Sequence, residues 1–359
     1  MPLNLAVIAG DGIGPEVVNA ALEVLDATGL DTRREAFPFS AAHYLETGAV
    51  LSDDDVEGLR RFDAILLGAV GGAPDDPRLA GGVIEKGILL KLRFDLDQYV
   101  NLRPVKLLPG IDTPLAGRGP EDIDFVCVRE NTEGLYAGLG GVARAGTAQE
   151  VGTQTMLTTA FGVERCVRYA FGVAAARERK HLTLVHKTNV LSYAGATWKR
   201  VFDAVAAEFP GVSTGYHHVD ACCMHMVANP AQYDVLVMPN MFGDILTDLG
   251  AAVAGGMGVA ASGNLNPDGT GPSMFEPVHG SAPDIAGRNL ANPIAAIDSL
   301  GLLLRETGRI KGDAEAVAAG ERVGDAVRAV TPNFAGKGLD RSGYGTDEVT
   351  KMVVDALGA

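Results

Sequence analysis

Asp244 and Asp248 stand four residues apart in the stretch Asn240-Met-Phe-Gly-Asp-Ile-Leu-Thr-Asp-Leu249. Directly upstream, Val235-Leu-Val-Met-Pro239 reads as a buried strand, so both acids fall on a helix opening from its end. An i, i+4 spacing puts the carboxylates on one face, a turn apart, where like charges repel. The neighbours Ile245, Leu246, Leu249 and Ala251 suit an interior. Spacing alone leaves two readings open. The pair holds a hard divalent cation through oxygen, or Asp244 caps the helix and Asp248 is solvated. Asp220, ending the strand-like run 215–219, either caps the next helix or is a third carboxylate of the same site.

Arg93, Arg103 and Arg129 each end an apolar element. A guanidinium is the side chain best shaped to grip a carboxylate with two parallel hydrogen bonds, and three of them suit a dicarboxylic acid. Any one alone reads as a surface ion pair. Lys187 and Asn189 follow the strand-like Leu182-Thr-Leu-Val-His186. A lysine that is buried or set near other cations can serve as a general base; otherwise it is an ordinary strand-end lysine. Tyr136 is a proton donor or a packing residue. His217-His-Val-Asp-Ala-Cys-Cys-Met-His225 matches no zinc spacing. Gly10-Asp-Gly-Ile-Gly14 is G-x-G-x-G and not the G-x-G-x-x-G of a Rossmann turn, so a tight strand-to-helix turn explains it as well as phosphate binding does.

Strand-like runs alternate with helical patterns along the chain, which predicts an α/β sheet. Strands are expected at 5–9, 63–69, 124–129, 182–186, 215–219 and 235–239. Helices are expected from Pro15, at 41–47, 82–98, 158–179 and 193–209, and in three segments after residue 293. Residues 135–156 read as an exposed hairpin or arm, and 255–292 as a long Gly/Pro/Asn loop of the kind that carries function. A chain of 359 residues suggests two domains or one large unit. Its net charge of −15 argues against nucleic acid or an anionic membrane surface as partner, so anionic substrates must be caught by local arginines. Cys127, Cys166, Cys222 and Cys223 form no CxxC pair, and no signal peptide precedes the first strand. Free thiols in a cytoplasmic protein are the expectation.

Read together, the segments Gly10–Glu16, Asn101-Leu-Arg-Pro104, Arg129-Glu-Asn-Thr-Glu-Gly-Leu-Tyr136, His186-Lys-Thr-Asn189, Val219-Asp220, Asn240–Asp248 and Glu276-Pro-Val-His-Gly-Ser-Ala-Pro-Asp-Ile-Ala286 resemble, in order, the β-decarboxylating dehydrogenases. That resemblance covers nearly the whole chain. It implies two α/β domains sharing one large mixed sheet, with a cleft between them and no Rossmann fold. The first domain would comprise 1–101 and 256–359, the second 102–255 with the arm and a two-fold dimer interface. Lys187 and Asp220 would then reach the partner's cleft in a homodimer.

The resemblance further implies roles. Arg93, Arg103 and Arg129 would hold the substrate carboxylates. Asp220, Asp244 and Asp248 would hold Mg²⁺ or Mn²⁺, with Asp220 also touching substrate. Lys187 would take the hydroxyl proton, and Tyr136 would help protonate the enolate left by CO₂ loss. His279, Gly280, Ala282, Asp284, Ile285 and Asn292 would line the cofactor site. A carboxylate at Asp284 accepts from a ribose diol and repels a 2′-phosphate, which favours NAD. Ile88, Leu89 and Leu90 stand a turn before Arg93, an alkyl wall suited to an isopropyl group. The implied reaction is oxidative decarboxylation of 3-isopropylmalate to 2-oxoisocaproate, a step of leucine biosynthesis. Phe94 and Gln98-Tyr-Val-Asn101 are also similar to tartrate/D-malate members, which makes those substrates the alternative. A non-catalytic subunit of the same fold would have lost these side chains.

Overall fold

A computed structural model describes residues 2–73 and 75–358. The strands are β1 (Leu3–Gly10), β2 (Thr32–Ala36), β3 (Ala64–Ala69), β4 (Val100–Lys106), β5 (Asp124–Glu130), β6 (Gly140–Ala143), β7 (Val151–Gln154), β8 (His181–His186), β9 (Ser213–His218), β10 (Val235–Met238), β11 (Ala261–Leu265) and β12 (Ser273–Pro277). Ten of them form one sheet in the order β2-β1-β3-β12-β11-β4-β5-β10-β8-β9. The outer strands pair in parallel: β2, β1, β3 and β12 on one side, β5, β10, β8 and β9 on the other. Between these blocks β11 and β4 run antiparallel to both neighbours. The mixed sheet expected from sequence is present.

Burial follows from this topology. Parallel strands are covered on both faces and read as unbroken apolar runs. Every residue of β3, Ala-Ile-Leu-Leu-Gly-Ala, is buried, and so is every residue of β10. Alternate strand residues enter different cores. Leu5 and Val7 of β1 pack with helices α1 (Gly14–Ala27), α9 (Ile294–Lys311), α10 (Ala314–Val330) and α11 (Thr346–Leu357). Val235 and Val237 join the same core beside α5 (Ala160–Ala176) and α6 (Ser192–Ala206). On the opposite face Ala6 and Ile8 meet α2 (Ala41–Thr47), α3 (Asp53–Leu59) and α4 (Lys91–Asp95). Leu236 and Met238 face α7 (Val219–Ala228) and α8 (Asn240–Val253).

Three expectations need correction. The loop expected over 255–292 contains β11 and β12, which lie near the middle of the sheet and are fully buried. The Ala-Ser-Gly-Asn content of β11 carries no strand signal, and Ser-Met-Phe-Glu-Pro of β12 has no alternation; cross-strand hydrogen bonds hold them instead. Asn101 Nδ2 donates to Ser262 Oγ at 3.0 Å, and Asn264 Nδ2 to Glu276 Oε1 at 2.8 Å. The single helix expected over 82–98 is a wide π turn at Glu85–Leu90 followed by the short α4. The arm does form an exposed hairpin, β6 with β7. Ile245, expected inside, is 54 % exposed on α8. All four cysteines are free thiols.

Candidate active site

On the α4/α8 face of the sheet, three arginines are buried close together. Arg129 is the penultimate residue of β5 at 1 % exposure, Arg103 lies in β4, and Arg93 is the middle residue of α4. Burial, and after it the Arg93 charge, push Arg129 down to about 10. Arg93 is lowered likewise by burial, with Glu276 opposing. Three mutually repelling cations in a desolvated pocket need fixed acceptors, and the fold supplies them. Arg129 Nε and Nη2 donate to Asn240 Oδ1 at 2.9 and 2.7 Å, while Nη1 pairs with Asp244. Arg103 Nε donates to Asn101 Oδ1 at 2.9 Å, and its Nη1 lies 3.2 Å from Asp248 Oδ1. Arg93 Nη2 reaches Glu276 Oε1 at 3.2 Å, leaving its Nε without a partner.

Local sequence explains this placement. Asn240 opens α8 directly after β10, so its amide meets the end of neighbouring β5. Gly243 lies one turn further along, and a Cβ there would run into the Arg129 side chain. Asp244 follows; it does not cap the helix, whose N-cap is Pro239, and its side chain is partly buried. Tyr136 Oη donates to its Oδ2 at 2.6 Å. Burial alone would raise the Asp244 carboxyl, but Arg129, Tyr136 and Arg103 hold it below the ordinary carboxylate range. The same burial and the Asp244 charge push the Tyr136 phenol up, and the Arg129 guanidinium stands 5.5 Å over its ring. Asp248 is the exposed member, its side chain 59 % accessible.

Lys187 and Asp220 stand apart from that cluster. Lys187 Nζ lies 2.7 Å from Asp220 Oδ1, and this bond holds the Asp220 carboxyl low. Asp220 sits in the first turn of α7, whose N-cap is His218, so it is not the cap. Among the described residues of one chain, no three His, Cys, Asp or Glu side chains gather as metal ligands. The carboxylates at Asp244 and Asp248 nevertheless suit Mg²⁺, which binds through one or two carboxylates and keeps water and substrate oxygens for the rest. Leu89 and Leu90 are half-buried a turn before Arg93, whereas Ile88 is 1 % exposed and belongs to the core.

The segment expected to take the cofactor follows β12. The loop after β1 braces it. Ile13 N–H donates to Ser281 O at 2.8 Å, and Gly12, at φ +59°, leaves room for that carbonyl. Asp11 is committed elsewhere: its carboxylate accepts from Ala41 N at 2.7 Å, Ala42 N at 2.9 Å and Gly71 N at 3.0 Å. The loop 10–14 is therefore a structural brace and no phosphate cradle. Ala282 adopts φ +37°, and Ile285 packs against the core below it. His279 Nδ1 lies 3.0 Å from Gly280 O, while its Nε2 is buried without a partner. Burial keeps His279 low and thus neutral. Asn292 Oδ1 accepts from Ile294 N at 3.2 Å, yet its Nδ2 is buried and unpartnered. Two buried nitrogens without partners, on the same segment as the exposed Asp284, fit a polar ligand such as a dinucleotide. Sequence reasoning proposed no role for Glu276, Asn101, Asn240, Asn264 or Gly243. Asn101, Asn240, Gly243 and Glu276 lie inside the motifs quoted above, which is the only signal that marked them.

The model of the family described as isocitrate/isopropylmalate dehydrogenase matches residues 4–353. A 3-isopropylmalate dehydrogenase of Clavibacter michiganensis subsp. michiganensis is 56 % identical over 92 % of this chain and 99 % of its own length. The enzyme of that name from Leifsonia xyli subsp. xyli is 54 % identical over 99 % of this chain and 98 % of its own. Among solved structures, an isocitrate dehydrogenase from Methylococcus capsulatus superposes with TM-score 0.85 at 33 % identity, covering 99 % of this chain and 100 % of that one. A β-decarboxylating dehydrogenase from Thermococcus kodakarensis gives 0.76 at 35 % identity, over 99 % and 96 %.

Proposed function

The chain belongs to the isocitrate/isopropylmalate dehydrogenase family, and on that premise we propose that it catalyses the NAD-dependent oxidative decarboxylation of 3-isopropylmalate to 2-oxoisocaproate. The observation that carries this reading is the pocket of three buried arginines with Leu89 and Leu90 beside it. Arg93, Arg103 and Arg129 bind the two carboxylates of the malate, and their fixed acceptors orient them in advance. The alkyl side of Leu89 and Leu90 takes the isopropyl group.

Asp244 and Asp248 would hold a divalent cation, which would supply Lewis acidity toward the substrate's oxygens. Residues 279–292 would hold NAD, which would supply the hydride acceptor. The chain's own side chains handle the protons. Lys187 accepts the hydroxyl proton. Tyr136, whose raised phenol keeps its proton, returns one to the enolate carbon.

Lys187 and Asp220 serve the cleft of a second copy in a homodimer, with 1–101 plus 256–359 as one domain and 102–255 as the other. Support comes from apolar side chains left exposed on the second segment: Met224 at 72 % and Ile245 at 54 %, with Val142 of the arm at 63 %. No described helix is long and apolar enough to cross a membrane, and the proposed location is the cytoplasm. The test is NADH formation with 3-isopropylmalate, D-malate, tartrate and isocitrate, with and without Mg²⁺. Metal-dependent turnover with kcat/KM highest for 3-isopropylmalate supports the reading. A higher value for D-malate or tartrate overturns the substrate.

A further inference from the structure

Next to the substrate cleft lies a cavity of about 220 Å³, bounded by β4, α8, α9 and α10. Its apolar wall includes Val105, Leu108, Ala254, Leu302 and Val327. Four cations and two acids also face it: Arg103, Lys106, Arg305 and Arg328 against Asp298 and Glu321. In a chain of net charge −15 that is a locally cationic pocket.

Three of these six charges are already engaged, and Glu321 is exposed to solvent. Arg103 pairs with Asp248, Lys106 with Asp124 at 2.9 Å, and Arg328 with Asp325. Asp298 and Arg305 are different. They stand seven residues apart on α9, two turns along one face. Arg305 Nη1 donates only to Gly320 O at 2.9 Å. Among the described residues, neither has an oppositely charged atom within 4.0 Å. Burial pushes the Asp298 carboxyl up, and Arg305, Arg328 and Lys106 only partly offset this. An acid and a guanidinium thus face one small cavity without meeting each other. Both side chains are partly buried at the cavity wall, where a charge in a medium less polar than bulk water gains most from an opposite charge held at hydrogen-bond distance.

We propose that this cavity binds a small aliphatic α-amino acid, its ammonium on Asp298, its carboxylate on Arg305 and its side chain along the Val105–Leu302–Val327 wall. A zwitterion pairs with both charges at once. A simple carboxylate leaves Asp298 unmatched, and a simple amine leaves Arg305 unmatched. The volume is below the range of about 300–1,000 Å³ usual for drug-sized ligands, so a dinucleotide does not fit. The site is separate from the clamp described above, though Arg103 borders both.

Calorimetric titration of the intact protein with L-leucine tests this. Two analogues, each lacking one charge, serve as probes of the same shape: 4-methylpentanoate and 3-methylbutylamine. The expected result is saturable L-leucine binding that persists with saturating 3-isopropylmalate, and at least about tenfold weaker binding of each analogue. Asp298→Asn and Arg305→Met should each weaken L-leucine by a similar factor, with kcat/KM for NAD reduction within about twofold of the parent. Should a variant fail to fold, the analogue series on the parent protein decides. The proposal is overturned by absence of saturable binding, by the monocarboxylate binding as tightly as the amino acid, or by displacement of L-leucine by the substrate.

Discussion

The arginine clamp and the Lys187–Asp220 pair contain the same kinds of charge under opposite conditions. Arg129 is 1 % exposed, and every one of its guanidinium nitrogens has an acceptor on α8 within its own chain. Lys187 and Asp220 are joined by one ion pair whose side chains are 27 % and 66 % accessible. The clamp is complete when one chain folds, and its geometry is part of the core. The other pair is positioned by the fold but finished by nothing in it. If the proposed roles hold, a binding function placed in the core ties catalysis to stability, and a proton-transfer function placed at a partly exposed strand end does not.

That contrast can be broken most severely at Arg129. Arg129→Met strands Asn240 and Asp244, and because Asp244 keeps partial hydration the loss is near the lower end of the buried-pair range, about 3 kcal/mol. Urea unfolding should register it together with loss of turnover; an unchanged midpoint would mean the network adds nothing to stability. Lys187→Met should cut kcat by about 10²–10⁴-fold while the urea midpoint stays in place. Loss of both together would erase the distinction between the two regions.

A third test uses the residue next to Lys187. His186 is fully buried between Trp198 and Phe242, with neither ring nitrogen bonded. Burial lowers it to about 4. The unfolded chain takes up that proton near 6.5 and the native state does not. Stability from the neutral ring is therefore complete above 6.5 and falls as pH drops toward 4, by about 3 kcal/mol at most. In His186→Phe that part of the acid-induced loss should vanish; an unaltered stability–pH curve would contradict it. The smallest expected effect is at Gly243. Gly243→Ala crowds Arg129 and should cost about 1–3 kcal/mol, with a KM rise exceeding any change in kcat. A KM at the parent value would show that the clamp tolerates displacement.

The same contrast explains what could be read in advance. β3, β10 and the helix carrying Asp244 were legible because continuous apolar runs and helical spacing are local signals. β11 was not, since Ala-Ser-Gly-Asn-Leu becomes a buried strand only when Asn101 and Glu276 bond across to it. Glu276 and Asn240 were missed as orienting groups for one physical reason: an amide or carboxylate that steers an arginine is recognised by its partner, which lies far away in sequence. The Ser52–Asp55 capping box at the start of α3 is a local signal of the same kind as the apolar runs. Ile245 failed in the other direction. Its apolar character suits an interface as well as an interior, and spacing does not separate the two.

The central claim is that the cleft of one chain is completed by Lys187 and Asp220 of another. Mixing Lys187→Met and Asp244→Asn proteins, unfolding them together and refolding them as equal partners measures this directly. Random pairing makes half the dimers mixed, each with one intact site, so roughly a quarter of parental NADH production should return. Activity no higher than that of the two variants alone would contradict the account.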